Sequence, residues 1–204
     1  MKTSEYELVQ EENNAKARKV IGINYSHGAV VNHEPAGKNI VLIGFMGTGK
    51  SSIGRLIATR LGREFVDTDQ LVVKKAGMEI ADMFRKHGEA YFREQEAVAL
   101  QSLQKRSNLV IGTGGGVVLR PENVGVLRHL GFIVWLTASE EVIYQRVSAN
   151  TKRPLMQTDD PRKTIHELLE QREPLYSGAA HFSVDTSSLS HSRIADMIIS
   201  AAQA

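Results

Sequence analysis

A chain of 204 residues, 42% hydrophobic and 24% charged, has the make-up of a globular protein sized for one domain plus an appendage. Its formal charge of +2 is too small to imply nucleic acid or an anionic membrane as partner. The absence of cysteine excludes disulfides, thiol chemistry and a thiolate zinc site and fits the cytoplasm, and no apolar run approaches the roughly 18 residues of a membrane span.

Residues 1–37 stand apart. They mix both charge signs and carry short apolar patches broken by Gly, Asn, His and Pro. There is no apolar secretory core, and Glu5, Glu7, Glu11 and Glu12 argue against an organelle transit peptide. The reading is a flexible N-terminal extension with one short helix or strand, in preference to a folded module; a partner-binding tail stays open. The folded domain is then expected over 38–204.

That domain opens with Ile40, Val41, Leu42 and Ile43, an apolar, largely β-branched run that predicts a strand buried on both faces. Gly44-Phe45-Met46-Gly47-Thr48-Gly49-Lys50-Ser51 follows and fits G-x-x-x-x-G-K-[ST] at every fixed position. Ile53, Leu56, Ile57 and Leu61 then recur at helical spacing. Strand, glycine loop and helix form a phosphate-binding loop: glycines let backbone N–H groups turn toward phosphate oxygens, and the helix start adds positive partial charge. Gly47, Thr48, Gly49, Lys50, Ser51 and Ser52 are the candidate ATP-binding residues. Lys50 can reach the β- and γ-phosphates, and the Ser51 hydroxyl suits Mg²⁺. The loop alone does not say what receives the phosphate.

A second short strand is predicted to end at Asp67-Thr68-Asp69. If the chain there is extended, both carboxylates project to one side. One could serve Mg²⁺ through water and the other an acceptor hydroxyl; a helix N-cap and a solvated charge are the plainer alternative. Two helical pieces follow, broken near Gly88, the second carrying Phe92, Arg93 and Glu96. Helical spacing puts Arg93 and Glu96 on one face, where the acid can aim the guanidinium or form only a surface pair. Leu109 to Ile111 reads as a third strand running into Gly114-Gly115-Gly116, bare backbone against which a ligand can lie, or a plain flexible loop. A helix with Pro121 in its first turn stops at Gly131, and FIVWLTAS is a fourth strand. EEVIYQRVSAN is a helix, and the proline-bounded segment through Arg153-Pro154-Leu155 is predicted mobile. The next helix carries Arg172 and is predicted to stop near Glu173, because Pro174 disfavours continuation. HFSVDT makes a fifth strand and HSRIADMIISAA a closing helix. The fold class is therefore α/β: a phosphate-loop, three-layer architecture with a five-stranded parallel sheet, helices on both faces and a mobile lid. Ligands in such sheets sit beyond the carboxyl ends of the strands.

Taken together, GFMGTGKSS, the DTD of VDTD, IADMF, FREQE as F-R-x-x-E, GTGGG, KRPL and the R-x-P-L-Y of REPLY resemble the shikimate kinase family in order and spacing. The resemblance covers about residues 38–202. It implies ATP-dependent phosphorylation of the shikimate 3-hydroxyl by a monomer. Lys50 and Ser51 would serve ATP and Mg²⁺, with Asp67 aiding the metal through water. Asp69 would hold and activate the acceptor hydroxyl. Arg93, Arg172 and the backbone of Gly114, Gly115 and Gly116 would bind shikimate, the arginines taking its carboxylate, while Phe84 and Phe92 line its ring. Arg153 would come from the lid onto the phosphates. Two features depart from the family pattern: the N-terminal extension, and the stretch before His191, where VDTSSLSHS has only Ser and Leu where some members place an arginine near adenine. A gluconate-type kinase and a ligand sensor without turnover are the competing readings; the latter is disfavoured by the presence of Lys50, Ser51 and Asp69.

Overall fold

Strand β3 (Asn39–Ile43) is buried at all five positions, as its apolar sequence demands. In the computed structural model, which describes residues 25–26, 29–30, 39–148 and 158–204, this strand is the centre of the molecule. The elements before it are β1 (Tyr25–Ser26) and β2 (Ala29–Val30), a short antiparallel pair. After it come α1 (Lys50–Leu61), β4 (Glu64–Asp67), α2 (Thr68–Ala76), α3 (Ile80–Gln101) and β5 (Leu109–Gly112). A 3₁₀ turn (Val117–Leu119), α4 (Pro121–Leu130), β6 (Gly131–Thr137), α5 (Glu140–Ser148), α6 (Pro161–Ala179), β7 (Phe182–Asp185) and α7 (His191–Gln203) complete the chain. The other residues of the 1–37 extension, and Arg153, lie outside the described residues.

The five strands lie in the order β4-β5-β3-β6-β7, every pair parallel. The chain leaves β3 toward one edge, then crosses to the other through α4 and β6. That reversal makes the carboxyl end of β3 a topological switch point, where α/β sheets bind ligands. Alternation along β3 divides the core. Ile40 and Leu42 join Ile53 and Ile57 of α1 and Ile194 and Ile198 of α7 on one face. Val41 and Ile43 join Leu127 of α4, Ile143 of α5 and Ile165 and Tyr176 of α6 on the other. A smaller cluster of Val72, Met83, Phe92 and Ala99 joins α2 to α3 beside the sheet.

Two local expectations change. Helix α6 does not stop at Glu173; it runs through Pro174 to Ala179. An interior proline removes one amide donor and costs about 3 kcal/mol. Here Pro174 is exposed, and so is Glu170, the residue whose carbonyl loses that donor. The extra turn buries Tyr176 and Ala179, and that packing outweighs the local penalty. Second, the Asp67-Thr68-Asp69 stretch is not extended throughout. Asp67 ends β4 and caps α2, whose first turn contains Asp69. The break at Gly88 is real: the residue has φ 81° and ψ 173° within α3, a conformation that favours glycine.

Candidate active site

The phosphate loop is built from backbone. Gly49 adopts φ 92° as the N-cap of α1, and its carbonyl accepts the first helical bond from the Ile53 amide at 2.9 Å. A pocket of about 500 Å³ opens above it, lined by Gly47, Gly49, Lys50, Ser51 and Ser52, with Asp67, Asp69 and Gly115 on the far side. Lys50 Nζ donates to the carbonyls of Gly44 (2.8 Å) and Phe45 (2.7 Å), which holds the ammonium over the loop. The Thr48 hydroxyl donates instead to the Phe45 carbonyl at 2.8 Å. Its side chain faces a separate cavity of about 330 Å³ behind the loop, between α5 and α6.

Ser51 and Asp67 meet across the pocket: Ser51 Oγ donates to Asp67 Oδ2 at 3.0 Å. Asp67 Oδ1 accepts from the Asp69 amide at 3.1 Å and the Gln70 amide at 3.4 Å. The N-cap reading of Asp67 therefore holds for one oxygen, while the other is bonded to Ser51 of the phosphate loop.

On α3, Arg93 is gripped by two acids. Its Nη1 donates to Glu96 Oε2 at 3.3 Å, and its Nη2 to Glu89 Oε1 at 2.7 Å. Glu96 has no exposed side-chain surface. Burial, reinforced by the nearby Asp69 charge and opposed by Arg93, pushes its carboxyl up to about 7. The ring of Phe92 lies 5.1 Å from that of Phe84, and the Arg93 guanidinium stands 5.2 Å from the Phe92 centroid. Arg172 comes from α6, with its guanidinium 5.7 Å from the Phe45 ring. Its buried Nε meets no acceptor among the described residues, a donor suited to an incoming carboxylate. One turn on, the Tyr176 hydroxyl donates to the Gly115 carbonyl while its ring stacks on Trp135 at 6.0 Å. Burial pushes that phenol up to about 12, so it stays a donor.

The glycine run is where the two sides meet. A Cβ on Gly115 would lie 3.4 Å from the Met46 amide nitrogen, against the phosphate loop. Gly114 faces Asp69 and Gly116 faces Arg93.

Some contributors escaped the sequence reading. Glu89 carried a legible signal, four residues before Arg93 on one helix. Arg146 and His191 did not. Arg146 donates to the Gly47 carbonyl at 3.1 Å and to the Thr186 carbonyl at 2.7 Å, and with His191 it closes the phosphate pocket from α5 and α7. Only the sheet order brings those helices to the loop.

Comparison with known proteins agrees with this geometry. Residues 46–203 match the family model described as shikimate kinase. A curated shikimate kinase from Caldanaerobacter subterraneus subsp. tengcongensis is 49% identical over 164 residues, 80% of this chain and 95% of that protein. Another from Thermodesulfovibrio yellowstonii is 49% identical over 162 residues, 79% of this chain and 93% of the relative. The solved structure of shikimate kinase from Acinetobacter baumannii in complex with shikimate superposes with a TM-score of 0.77 at 38% identity, covering 80% of this chain and 91% of that one. This chain belongs to the shikimate kinase family.

Proposed function

We propose that the chain transfers the γ-phosphate of ATP to the 3-hydroxyl of shikimate, giving 3-phosphoshikimate and ADP. The observation that carries this reading is the glycine run Gly114–Gly116, which has Asp69 at one end, the phosphate loop at its centre and the Arg93 guanidinium at the other end. An acceptor hydroxyl, a γ-phosphate and a carboxylate all have a partner around one short stretch of backbone.

Each residue then has a task. Lys50 and the loop amides of Gly47 to Ser52 hold the phosphates. Arg93 and Arg172 fork onto the substrate carboxylate, Phe84 and Phe92 line the ring, and the amides of Gly115 and Gly116 face the bound acid. Asp69 orients the 3-hydroxyl. As that oxygen bonds to the γ-phosphorus and the bond to the ADP oxygen breaks, its proton passes to Asp69. Most of the acceleration comes from position and charge. The base and ribose lie beyond the phosphates, toward Arg146 and His191. Arg153 would come onto the ATP phosphates.

The oxygen donors fit Mg²⁺. Ser51 Oγ and, through water, Asp67 would hold it, and when bound it neutralises the phosphates. Among the described residues there is no cluster of three His, Asp or Glu able to hold a metal. Such a site suits a cation carried mainly by phosphates and water. We further propose that residues 38–204 act as a monomeric cytoplasmic kinase domain behind a dispensable 1–37 extension. No helix among the described residues is long and apolar enough to cross a membrane.

A coupled ADP-release assay with shikimate, quinate and gluconate tests the reading. Turnover is expected with shikimate foremost. Activity on gluconate with none on shikimate would overturn it.

A further inference from the structure

Nothing in the backbone requires glycine at positions 114 and 116. Neither is among the glycines with positive φ, and Gly116, at φ −103° and ψ 6°, has a conformation open to any residue. What forbids a larger residue is the neighbouring side chains. A Cβ on Gly114 would stand 2.7 Å from both Asp69 Oδ1 and Glu96 Oε1. A Cβ on Gly116 would stand 2.6 Å from Arg93 Cζ, and closer still to both terminal nitrogens. Gly115 differs: its Cβ would meet only ordinary contacts, the nearest at 3.4 Å.

The run itself is pinned. The Gly114 amide donates to Thr68 Oγ1 at 3.3 Å, and its carbonyl accepts from Val117 at 3.3 Å. The Gly115 carbonyl accepts from Tyr176, and that of Gly116 from the Leu119 amide at 3.0 Å. Four bonds hold the plate, whereas Asp69 and Arg93 present only the ends of side chains. An added methyl therefore displaces the side chain and not the plate.

We infer that Gly114 and Gly116 are separate seats, the first setting where the Asp69 carboxylate stands beside that of Glu96 and the second where the Arg93 fork stands. They are positioning residues with different targets, one acting on the phosphoryl-transfer step and the other on acid binding. The inference rests on the roles given above to Asp69 and Arg93, and it goes beyond them. It assigns the glycine requirement to these two side chains, whereas close approach of substrate to the backbone would make Gly115 and Gly116 alike, since their amides face the bound acid.

The test is a pair of double-mutant cycles in the full chain, with steady-state kinetics in both substrates. Gly116→Ala should raise the shikimate KM about tenfold with kcat near wild type, the loss expected when a charge-assisted fork is displaced. Gly114→Ala should lower kcat about tenfold or more, with a smaller change in shikimate KM, because a proton acceptor out of reach loses its contribution. Residues acting through one another are not additive. Gly116→Ala should thus add less than about twofold in an Arg93→Lys background, and Gly114→Ala less than about twofold in Asp69→Asn. Gly115→Ala should couple to neither. Thermal melts and ATP calorimetry confirm folding. Should Gly114→Ala fail to fold, the Gly116 cycle decides alone. Additive losses, or equal rises in shikimate KM for Gly114→Ala and Gly116→Ala with kcat unchanged, would overturn the inference. Failure of the underlying roles looks different: Asp69→Asn or Arg93→Lys would itself leave the kinetics intact.

Discussion

The nucleotide half and the acceptor half of this site are built on different principles. The proposed nucleotide half is one continuous stretch, Gly44 to Ser52, shaped by backbone, with a left-handed Gly49 and a helix start. The acceptor half gathers side chains from α2, α3 and α6 around a glycine plate that follows β5. A site made of backbone depends on local conformation, so it is encoded locally, in a few fixed residues at fixed spacing. A site made of distant side chains depends on the sheet order to assemble it, and each side chain is a separate point of failure.

The largest expected effect separates the halves at the transferred group. Asp69→Asn keeps shape and loses the proton acceptor, so kcat should fall by about 10²–10⁴. ATP affinity by calorimetry should stay near wild type, because the proposed role of Asp69 is toward the acceptor. A matching loss of ATP binding would break the division. The arginines come next. Arg93→Lys and Arg172→Lys keep the charge and lose the fork, which should weaken shikimate binding about ten- to hundredfold, with the ATP KM unchanged. Unchanged shikimate affinity in both would remove the carboxylate clamp from the proposal.

The same division explains what could be read in the sequence. The phosphate loop was legible because its chemistry needs fixed residues at fixed spacing, and the three inner strands because each is a short, largely apolar run; the edge strands EFVD and FSVD carry two apolar residues each. Arg93 with Glu96 was legible as a pair but not as a site; their position opposite Asp69 needs β4 and β5 side by side. Arg146 and His191 carried no local signal, since α5 and α7 meet the loop only in the folded sheet. Local rules misplaced the end of α6 because Pro174 speaks only of its own turn, whereas Tyr176 answers to Gly115 and Trp135 across the fold. The extended reading of Asp67 to Asp69 failed likewise: Asp67 is a good N-cap, and the helix it starts carries Asp69.

Tyr176 sharpens the comparison because it touches the plate where the halves meet. Tyr176→Phe deletes the bond to Gly115 and leaves the ring on Trp135. A neutral hydrogen bond contributes about 0.5–1.5 kcal/mol, so a change of about two- to tenfold is expected. Since Gly115 packs on Met46 of the phosphate loop, the KM values for shikimate and ATP should rise together. A rise for shikimate alone would mean that the halves are mechanically independent.

The last expected effect is on stability and not on turnover, and it comes from Glu96. Its carboxyl is pushed up to about 7 by burial and by the Asp69 charge, from an ordinary value of 4.5. Arg93 and Arg120 pull the other way, and Glu89 shares Arg93. Between pH 4.5 and about 7 the folded chain therefore binds a proton at this residue that the unfolded chain has released. Stability from this group must fall as pH rises through that window and level off on either side, by on the order of 3 kcal/mol in all. Exposed His166, held protonated to higher pH by Glu140, adds a slope of the same sign in any variant that retains it. Glu96→Gln removes only the first contribution. The difference in Tm between Glu96→Gln and wild type should thus grow more positive from pH 5 to pH 8, at about 2–4 °C per kcal/mol for a chain of this size. Melting both proteins at pH 5, 6, 7 and 8 measures it. Parallel curves would mean that Glu96 is ionised throughout, held by Arg93 more strongly than burial opposes it, and the acid beneath the clamp would be a plain ion pair.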